Sequence, residues 1–359
     1  MSLEQEQEGN EEMQRKIKVL IVDDSITFQE MMRRGLGSDP MIEVVDTATD
    51  PYEARDKILK YHPDVMTLDV NLPRMNGIEF LRKLMPQYPL PVVVVSVMSE
   101  SVFDALDAGA VEFVNKPNGR SPEQVHRFIS SELATKIKIA SVAKVGHLKK
   151  AGMPVGGVHR SVKVDVRDRV IAIGASTGGT EAIFDVVKRF DVDIPGVVIV
   201  QHMPPKFTEM YAQRLNNQCK VVVKEAKNGD VVRQGQVLIA PGDRQMQMVR
   251  VNGGYQVKCG GTQKVSGHCP SVNVLFHSVA ETAGRDAVGV ILTGMGADGA
   301  EGLLAMRNAG AETIGQDENS CVVYGMPKVA MEIGAVKYQV PLENIAGKVY
   351  NILGNKHLN

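Results

Sequence analysis

The stretch Val170-Ile-Ala-Ile-Gly-Ala-Ser-Thr-Gly-Gly179 reads as a buried β-strand, a tight glycine turn and the start of a helix. That pattern opens a doubly wound α/β sheet. A dinucleotide-binding turn carries Gly-x-Gly-x-x-Gly at this place. Gly174 and Gly179 match the outer glycines, but Ser176 holds the middle position. The middle glycine normally lets the backbone touch a pyrophosphate. A serine blocks that approach and puts a hydroxyl at the mouth of the sheet. The change points from cofactor binding to hydrolysis, provided that the chain supplies a base and an orienting acid.

Outward from this turn the second half stays α/β. Residues 196–200 and 287–292 are apolar strands, and 221–224, 237–240 and 312–314 are shorter ones. Residues 245–251 and 255–258 flank Asn252-Gly253-Gly254, which has β-hairpin turn chemistry. The first half has strand patterns at 16–22, 42–47, 64–68, 92–95 and 111–114. Helical patterns follow at 27–36, 51–61, 77–85, 101–108 and 122–139. Such alternation predicts a parallel, doubly wound sheet. The fold class is therefore α/β, with two doubly wound parallel-sheet domains, the second carrying an antiparallel hairpin. The expected division is an acidic, disordered tail at 1–15, a first domain at 16–138, a linker at 139–167 and a second domain at 168–354. The linker is rich in glycine and basic residues, and no acid occurs between 136 and 164.

A length of 359 residues agrees with two domains. The net charge of -1 gives no global field for nucleic acid or an anionic membrane. Tryptophan is missing and aromatic residues are only 5%, which leaves little to stack single-stranded nucleic acid. The apolar stretches are far shorter than the ~20 residues of a membrane span. The N-terminus (Glu4, Glu6, Glu8, Glu11, Glu12) lacks the basic start and apolar run of a signal peptide, so a cytoplasmic location is expected. Cys219, Cys259, Cys269 and Cys321 form no C-x-x-C pair, so free buried thiols are expected rather than a zinc or redox motif.

In the first half, Asp23 and Asp24 follow the first strand, Asp69 the third, Ser96 the fourth and Lys116 the fifth. The carboxyl ends of parallel strands share one sheet edge, so these side chains should converge. Packed carboxylates repel, and Mg²⁺ suits a small, partly hydrated oxygen site that relieves the repulsion. Such a site neutralises an incoming phosphoryl group while one carboxylate attacks phosphorus. Lys116 and Ser96 can each take a phosphoryl oxygen.

In the second half, Ser176 needs a base, since an isolated hydroxyl is a weak nucleophile. His62, His126, His147, His159 and His357 lie in the first domain, linker or tail, which leaves His202, His268 and His277. His202 stands just past the strand at 196–200. An acidic ribose ligand would occupy that place in a dinucleotide fold, about 20 residues beyond the glycine turn. Structural or surface roles are expected for His268 and His277. Asp298 is the only acid in the loop Thr293-Gly-Met-Gly-Ala-Asp-Gly299, which follows the strand at 287–292. It can hold His202 in one tautomer. Ser176 sits at a helix N-terminus, where the N–H of Thr177, with that of Met295 from the facing loop, can receive an oxyanion.

Two resemblances then join. Val22-Asp-Asp-Ser25, Asp69 before Leu72-Pro-Arg-Met-Asn-Gly77, Ser96 and Lys116-Pro117 resemble the receiver domain of two-component response regulators, over about 17–138. That resemblance implies a flavodoxin-like receiver with Asp69 as phospho-acceptor. It further implies Asp23, Asp24 and the Asn71 carbonyl around Mg²⁺, and Phe113 as a switch aromatic coupled to Ser96. Ile173-Gly-Ala-Ser-Thr-Gly-Gly179, Gln201-His-Met203, Leu292-Thr-Gly-Met-Gly-Ala-Asp-Gly299 and Val323-Tyr-Gly-Met-Pro327 resemble the chemotaxis protein-glutamate methylesterases, over about 169–352. This implies a Rossmann-like catalytic domain with Ser176 as nucleophile, His202 as base, Asp298 as its partner, and Thr177 and Met295 lining the site. The implied reaction is hydrolysis of glutamate γ-methyl esters, and deamidation of specific glutamines, on the cytoplasmic helices of chemoreceptors. A sensor histidine kinase is the implied phosphodonor, and the receiver is expected to cover the site until Asp69 is phosphorylated. Two other classes compete with this reading. One is a receiver-controlled nucleotide-binding protein using the 174–179 turn, and the other is a phosphorylation-dependent binding module with a vestigial triad.

Overall fold

The computed structural model describes residues 15–97, 101–117, 121–146 and 168–355. The acidic tail up to residue 14 and the linker from 147 to 167 lie outside the described residues. The chain divides into two compact units, Met1–Ser141 and Val142–Asn359.

The first unit is built on a five-stranded parallel sheet. From edge to edge its strands are Ile42–Ala48, Ile17–Val22, Val65–Leu68, Val92–Ser96 and Glu112–Asn115. Val65–Leu68 and Val92–Ser96 are buried along their whole length, as strands covered on both faces must be. The first strand lies between the second and the third, so the winding reverses at the carboxyl ends of Ile17–Val22 and Val65–Leu68. Asp23, Asp24 and Asp69 stand at that reversal, where such sheets bind ligands. Local chemistry sets the helix starts. Asp50 accepts the N–H of Tyr52 and Glu53 at the head of Pro51–Tyr61, with proline in the first turn. The long helix expected at 122–139 is one helical path in three pieces, Pro122–Arg127, a π-helical turn at Phe128–Leu133, and Ala134–Ser141.

The second unit has a seven-stranded parallel sheet. Its order is Tyr338–Val340, Glu312–Gln316, Ala287–Ile291, Val170–Ala175, Gly196–Gln201, Gln236–Ile239 and Val222–Glu225. Val170–Ala175 is again a strand flanked by later ones on either side, with every residue buried. The expected hairpin forms as Gln245–Val251 against Gly254–Gly260, but in a separate antiparallel sheet with Val231–Val232 as its third strand. One face of the large sheet buries Val198, Val200 and Leu238 with Val272, Phe276, Leu303 and Met306. Each such side chain contributes about 1.5–3 kcal/mol on burial. This packing fixes the helix Val272–Thr282 beside the sheet, which matters for the site below.

All four cysteines are free, with Cys321 buried and the others half-buried. Burial pushes the Cys219 and Cys259 thiols up to about 11, so they stay protonated and unreactive at neutral pH. Among the described residues no helix is long and apolar enough to cross a membrane.

Candidate active site

Val170–Ala175 and Gly196–Gln201 run side by side, with Ala175 paired to Gln201. The strand ends therefore bring Ser176 and His202 to one edge, and the His202 N–H donates to the Ala175 carbonyl at 3.2 Å. The turn after Ala175 is sharp. Gly178 has a φ of 73°, and a methyl group there would come 2.6 Å from the Val322 side chain. Only glycine meets both conditions. The helix Gly179–Val187 follows directly.

Three groups tie this turn down. The Ser176 N–H donates to the Thr293 carbonyl at 3.0 Å. The Ser176 carbonyl accepts the Gly179 N–H at 2.7 Å and the Gln201 side-chain amide at 2.9 Å. The Thr293 hydroxyl lies 3.0 Å from the Thr177 carbonyl and accepts the Val323 N–H at 2.9 Å. The loop that begins at Thr293 closes over the turn, with room for glycine alone at 294. A side chain there would strike the Ser176 Cβ, 2.7 Å away. The segment 323–326 clamps the loop in turn, through Gly294 N–H to Val323 O and Met326 N–H to Gly294 O. The sequence alone assigns no role to Thr293, whose contacts form when its loop closes on the turn, or to Gln201, at the end of the neighbouring strand.

Asp298, from the same loop, meets His202. The His202 Nε2 lies 2.8 Å from Asp298 Oδ2, with both side chains almost fully buried. The same carboxylate accepts the Ser271 hydroxyl at 2.8 Å and the N–H groups of Val272 and Asn273 at 2.7 and 3.1 Å. These are the first N–H groups of the helix Val272–Thr282, whose own Ser271 makes no side-chain cap. Asp298 thus caps a helix across space. Burial pushes its carboxyl upward, but the His202 hydrogen bond and charge, with Ser271 and Val272, outweigh burial and hold it below the ordinary 3.8. An ionised carboxylate is an acceptor only, so His202 carries its proton on Nε2. Its Nδ1 is then the basic nitrogen, and it is buried without a hydrogen-bond partner. The Ser176 hydroxyl makes no hydrogen bond to it here. Such bonds are often long in free enzymes and tighten with substrate. Thr177 is buried, and Met295 is partly exposed on the facing loop.

The ring of His268 lies flat on that of His202, with centroids 3.7 Å apart and planes at 7°. The sequence pattern points to a structural or surface role for His268, and the fold places its ring against His202.

In the first unit the expected side chains do converge. One oxygen from each of Asp23, Asp24 and Asp69 lies within 4.8 Å of the others. Lys116 Nζ donates to Asp23 Oδ2 at 2.7 Å and to Asp69 Oδ2 at 2.8 Å, and sits 4.6 Å from the centre of the Phe28 ring. The Ser96 hydroxyl reaches Asp69 Oδ1 at 3.3 Å, and the Asn71 N–H donates to the same oxygen at 3.0 Å. Burial raises the Asp23 carboxyl above its ordinary value, although the hydrogen bond and charge of Lys116 pull the other way. Phe113 is buried in its strand, paired across to Val94. A methyl group on Gly77 would strike the Asp69 carbonyl, which accounts for the glycine that closes this loop.

Comparison with known proteins adds an independent line. Residues 171–349 match the family model described as CheB methylesterase, and residues 19–128 that of the response regulator receiver domain. The chain is 60% identical over 341 residues to "Protein-glutamate methylesterase/protein-glutamine glutaminase 2" of Syntrophomonas wolfei, covering 94% of this chain and 98% of that one. It is 51% identical over 354 residues to a Syntrophotalea carbinolica protein with the same name apart from the final numeral, covering 96% and 100%. The crystal structure of the Thermotoga maritima CheB methylesterase catalytic domain superposes with a TM-score of 0.50 at 35% identity, over 51% of this chain and 98% of that one.

Proposed function

The chain belongs to the protein-glutamate methylesterase/protein-glutamine glutaminase family, with a receiver domain ahead of the esterase, and from that premise we propose how its residues divide the work. The receiver is taken as 16–138, the linker as 139–167 and the catalytic domain as 168–354. Substrates are methylated glutamates and specific glutamines on the cytoplasmic helices of chemoreceptors, and the enzyme acts in the cytoplasm.

Ser176 attacks the ester carbonyl, and its proton passes to His202 Nδ1. The oxyanion rests against the N–H groups of Thr177 and Met295. Collapse of the tetrahedral intermediate breaks the carbon–methoxy bond, and Nδ1 returns its proton so that methanol leaves. Water then gives a proton to Nδ1 and attacks the acyl-serine; collapse breaks the carbon–Oγ bond, Nδ1 returns the proton to Oγ, and glutamate leaves with Ser176 regenerated. With a glutamine substrate the leaving group is ammonia. Asp298 keeps the Nε2 proton in place and stabilises the imidazolium. The observation that carries this reading is the 2.8 Å contact of Asp298 with Nε2, which leaves a buried, unpaired Nδ1 as the base. Replacing Ser176 with alanine is expected to cut methanol release from methylated receptor by about a thousandfold or more. Unchanged release would remove Ser176 from the mechanism.

In the receiver, Asp69 takes the phosphoryl group from a phosphohistidine on a sensor kinase. The nitrogen–phosphorus bond breaks as the carboxylate forms an oxygen–phosphorus bond. The all-oxygen donor set suits a hard cation. Asp23, Asp24, Asp69 and the Asn71 carbonyl would hold Mg²⁺, which neutralises phosphoryl charge. Lys116 binds one phosphoryl oxygen, and Ser96 donates to another while Phe113 follows its movement. Phosphorylation raises esterase activity.

A further inference from the structure

One face of the base is covered by a residue that the mechanism above does not use. His268 sits in a tight turn. Ser266 and Gly267 have φ of 51° and 83°, and the backbones of Val265 and His268 exchange two hydrogen bonds of 2.9 Å. Gln245, itself buried, anchors this turn to the triad. Its amide donates to the carbonyls of His268 and Gln263 at 3.2 and 2.9 Å, while its carbonyl accepts the N–H of Ser271 at 2.8 Å. Ser271 in turn donates to Asp298. The His268 ring and the Asp298 carboxylate are therefore held by one frame, and both bear on His202.

The two contacts constrain different motions. Asp298 fixes the far corner of the imidazole at Nε2. That bond restrains rotation about the Cβ–Cγ axis only weakly, since Nε2 lies nearer that axis than Nδ1, and small rotations still sweep Nδ1 through an arc. A parallel ring at 3.7 Å blocks them.

We propose that His268 is a positioning residue for ester hydrolysis, its ring packed flat on His202 so that Nδ1 stays aimed at the Ser176 hydroxyl. This rests on His202 being the base. The role belongs to a flat ring, not to a ring nitrogen, and that distinction defines the test. Methanol release from methylated receptor is measured with the full-length protein and its His268→Ala, His268→Phe and His268→Leu variants. Inactivation by a small fluorophosphonate that reacts with activated serines is measured in parallel. His268→Ala lowers kcat about fivefold to tenfold, the scale of an aromatic stacking contact. KM stays within about twofold, since no substrate contact is lost. His268→Phe recovers most of the rate, His268→Leu does not, and inactivation rates follow the same order. An unchanged kcat in His268→Ala overturns the proposal, as does recovery by leucine equal to that by phenylalanine. Should the alanine variant fail to fold in a thermal melt, the comparison of phenylalanine with leucine still decides. His202→Gln separates the two levels of inference. If it keeps the wild-type rate, the base itself is misassigned. If it is inactive while every His268 variant matches wild type, only the positioning role falls.

Discussion

Asp298 joins the proposed triad to a helix through one carboxylate. It holds Nε2 of His202 and caps the helix Val272–Thr282. An asparagine there can still accept through its oxygen, but its amide cannot accept the Nε2 proton, so the imidazole tautomer is no longer fixed. Asp298→Asn should reduce kcat for methanol release by about 10³- to 10⁴-fold, the scale seen when a buried triad acid loses its charge. It should also lower unfolding stability by about 1–2 kcal/mol through the weakened cap. The stability loss carries a pH signature. The Asp298 carboxyl titrates below 3.8 in the folded protein, so the unfolded chain binds this proton first as pH falls. Its stabilisation is therefore complete above the ordinary carboxylate range and fades as pH drops through the lowered value. Denaturant titrations of wild type and Asp298→Asn should differ fully at about pH 6 and approach each other only as pH falls below 3.8 toward the lowered value. A gap that stays constant with pH would contradict a lowered Asp298 titration.

At the scale of elements, the turn between Val170–Ala175 and Gly179–Val187 is tightly constrained. Gly178→Ala must hold a positive φ and push Val322 aside. A cost of about 2–3 kcal/mol is expected, visible as a lower thermal midpoint, with esterase activity falling because Ser176 shifts. This turn was legible in the sequence because an apolar run and three glycines within six residues leave little other choice. The strand ends that carry Asp23, Asp69, Ser176 and His202 were legible for a related reason. In a parallel sheet every carboxyl end lies on one edge, so strand position alone places the next residue. The short strands Val231–Val232 and Tyr338–Val340 were not legible, since two or three residues carry no periodicity. Nor was the π-helical turn at Phe128–Leu133, where buried Phe128, Ile129 and Leu133 keep an ordinary helical spacing. His268 escaped notice because its partner lies 66 residues away in sequence and only the fold of the 261–271 loop joins them.

Over the whole molecule, the two proposed chemistries have opposite needs. The proposed esterase triad contains no oxygen-rich cluster. Its one carboxylate, Asp298, is saturated by four hydrogen bonds. The receiver pocket gathers three carboxylates with one lysine to balance them, so it is short of positive charge and fits a divalent cation. Chelation should therefore separate regulation from catalysis. With Mg²⁺ present, a small-molecule phosphodonor should raise methanol release from methylated receptor. With chelator added, the stimulation should vanish while the basal rate stays within about twofold, because no step of ester hydrolysis uses the metal. Asp69→Ala should give the same basal rate with or without Mg²⁺ and phosphodonor. Ser176→Ala should lose basal and stimulated release together, while still incorporating phosphate at Asp69 in the presence of Mg²⁺. Loss of basal hydrolysis on chelation would mean that the esterase half needs a metal, and stimulation that survives Asp69→Ala would mean that the switch lies elsewhere in the chain.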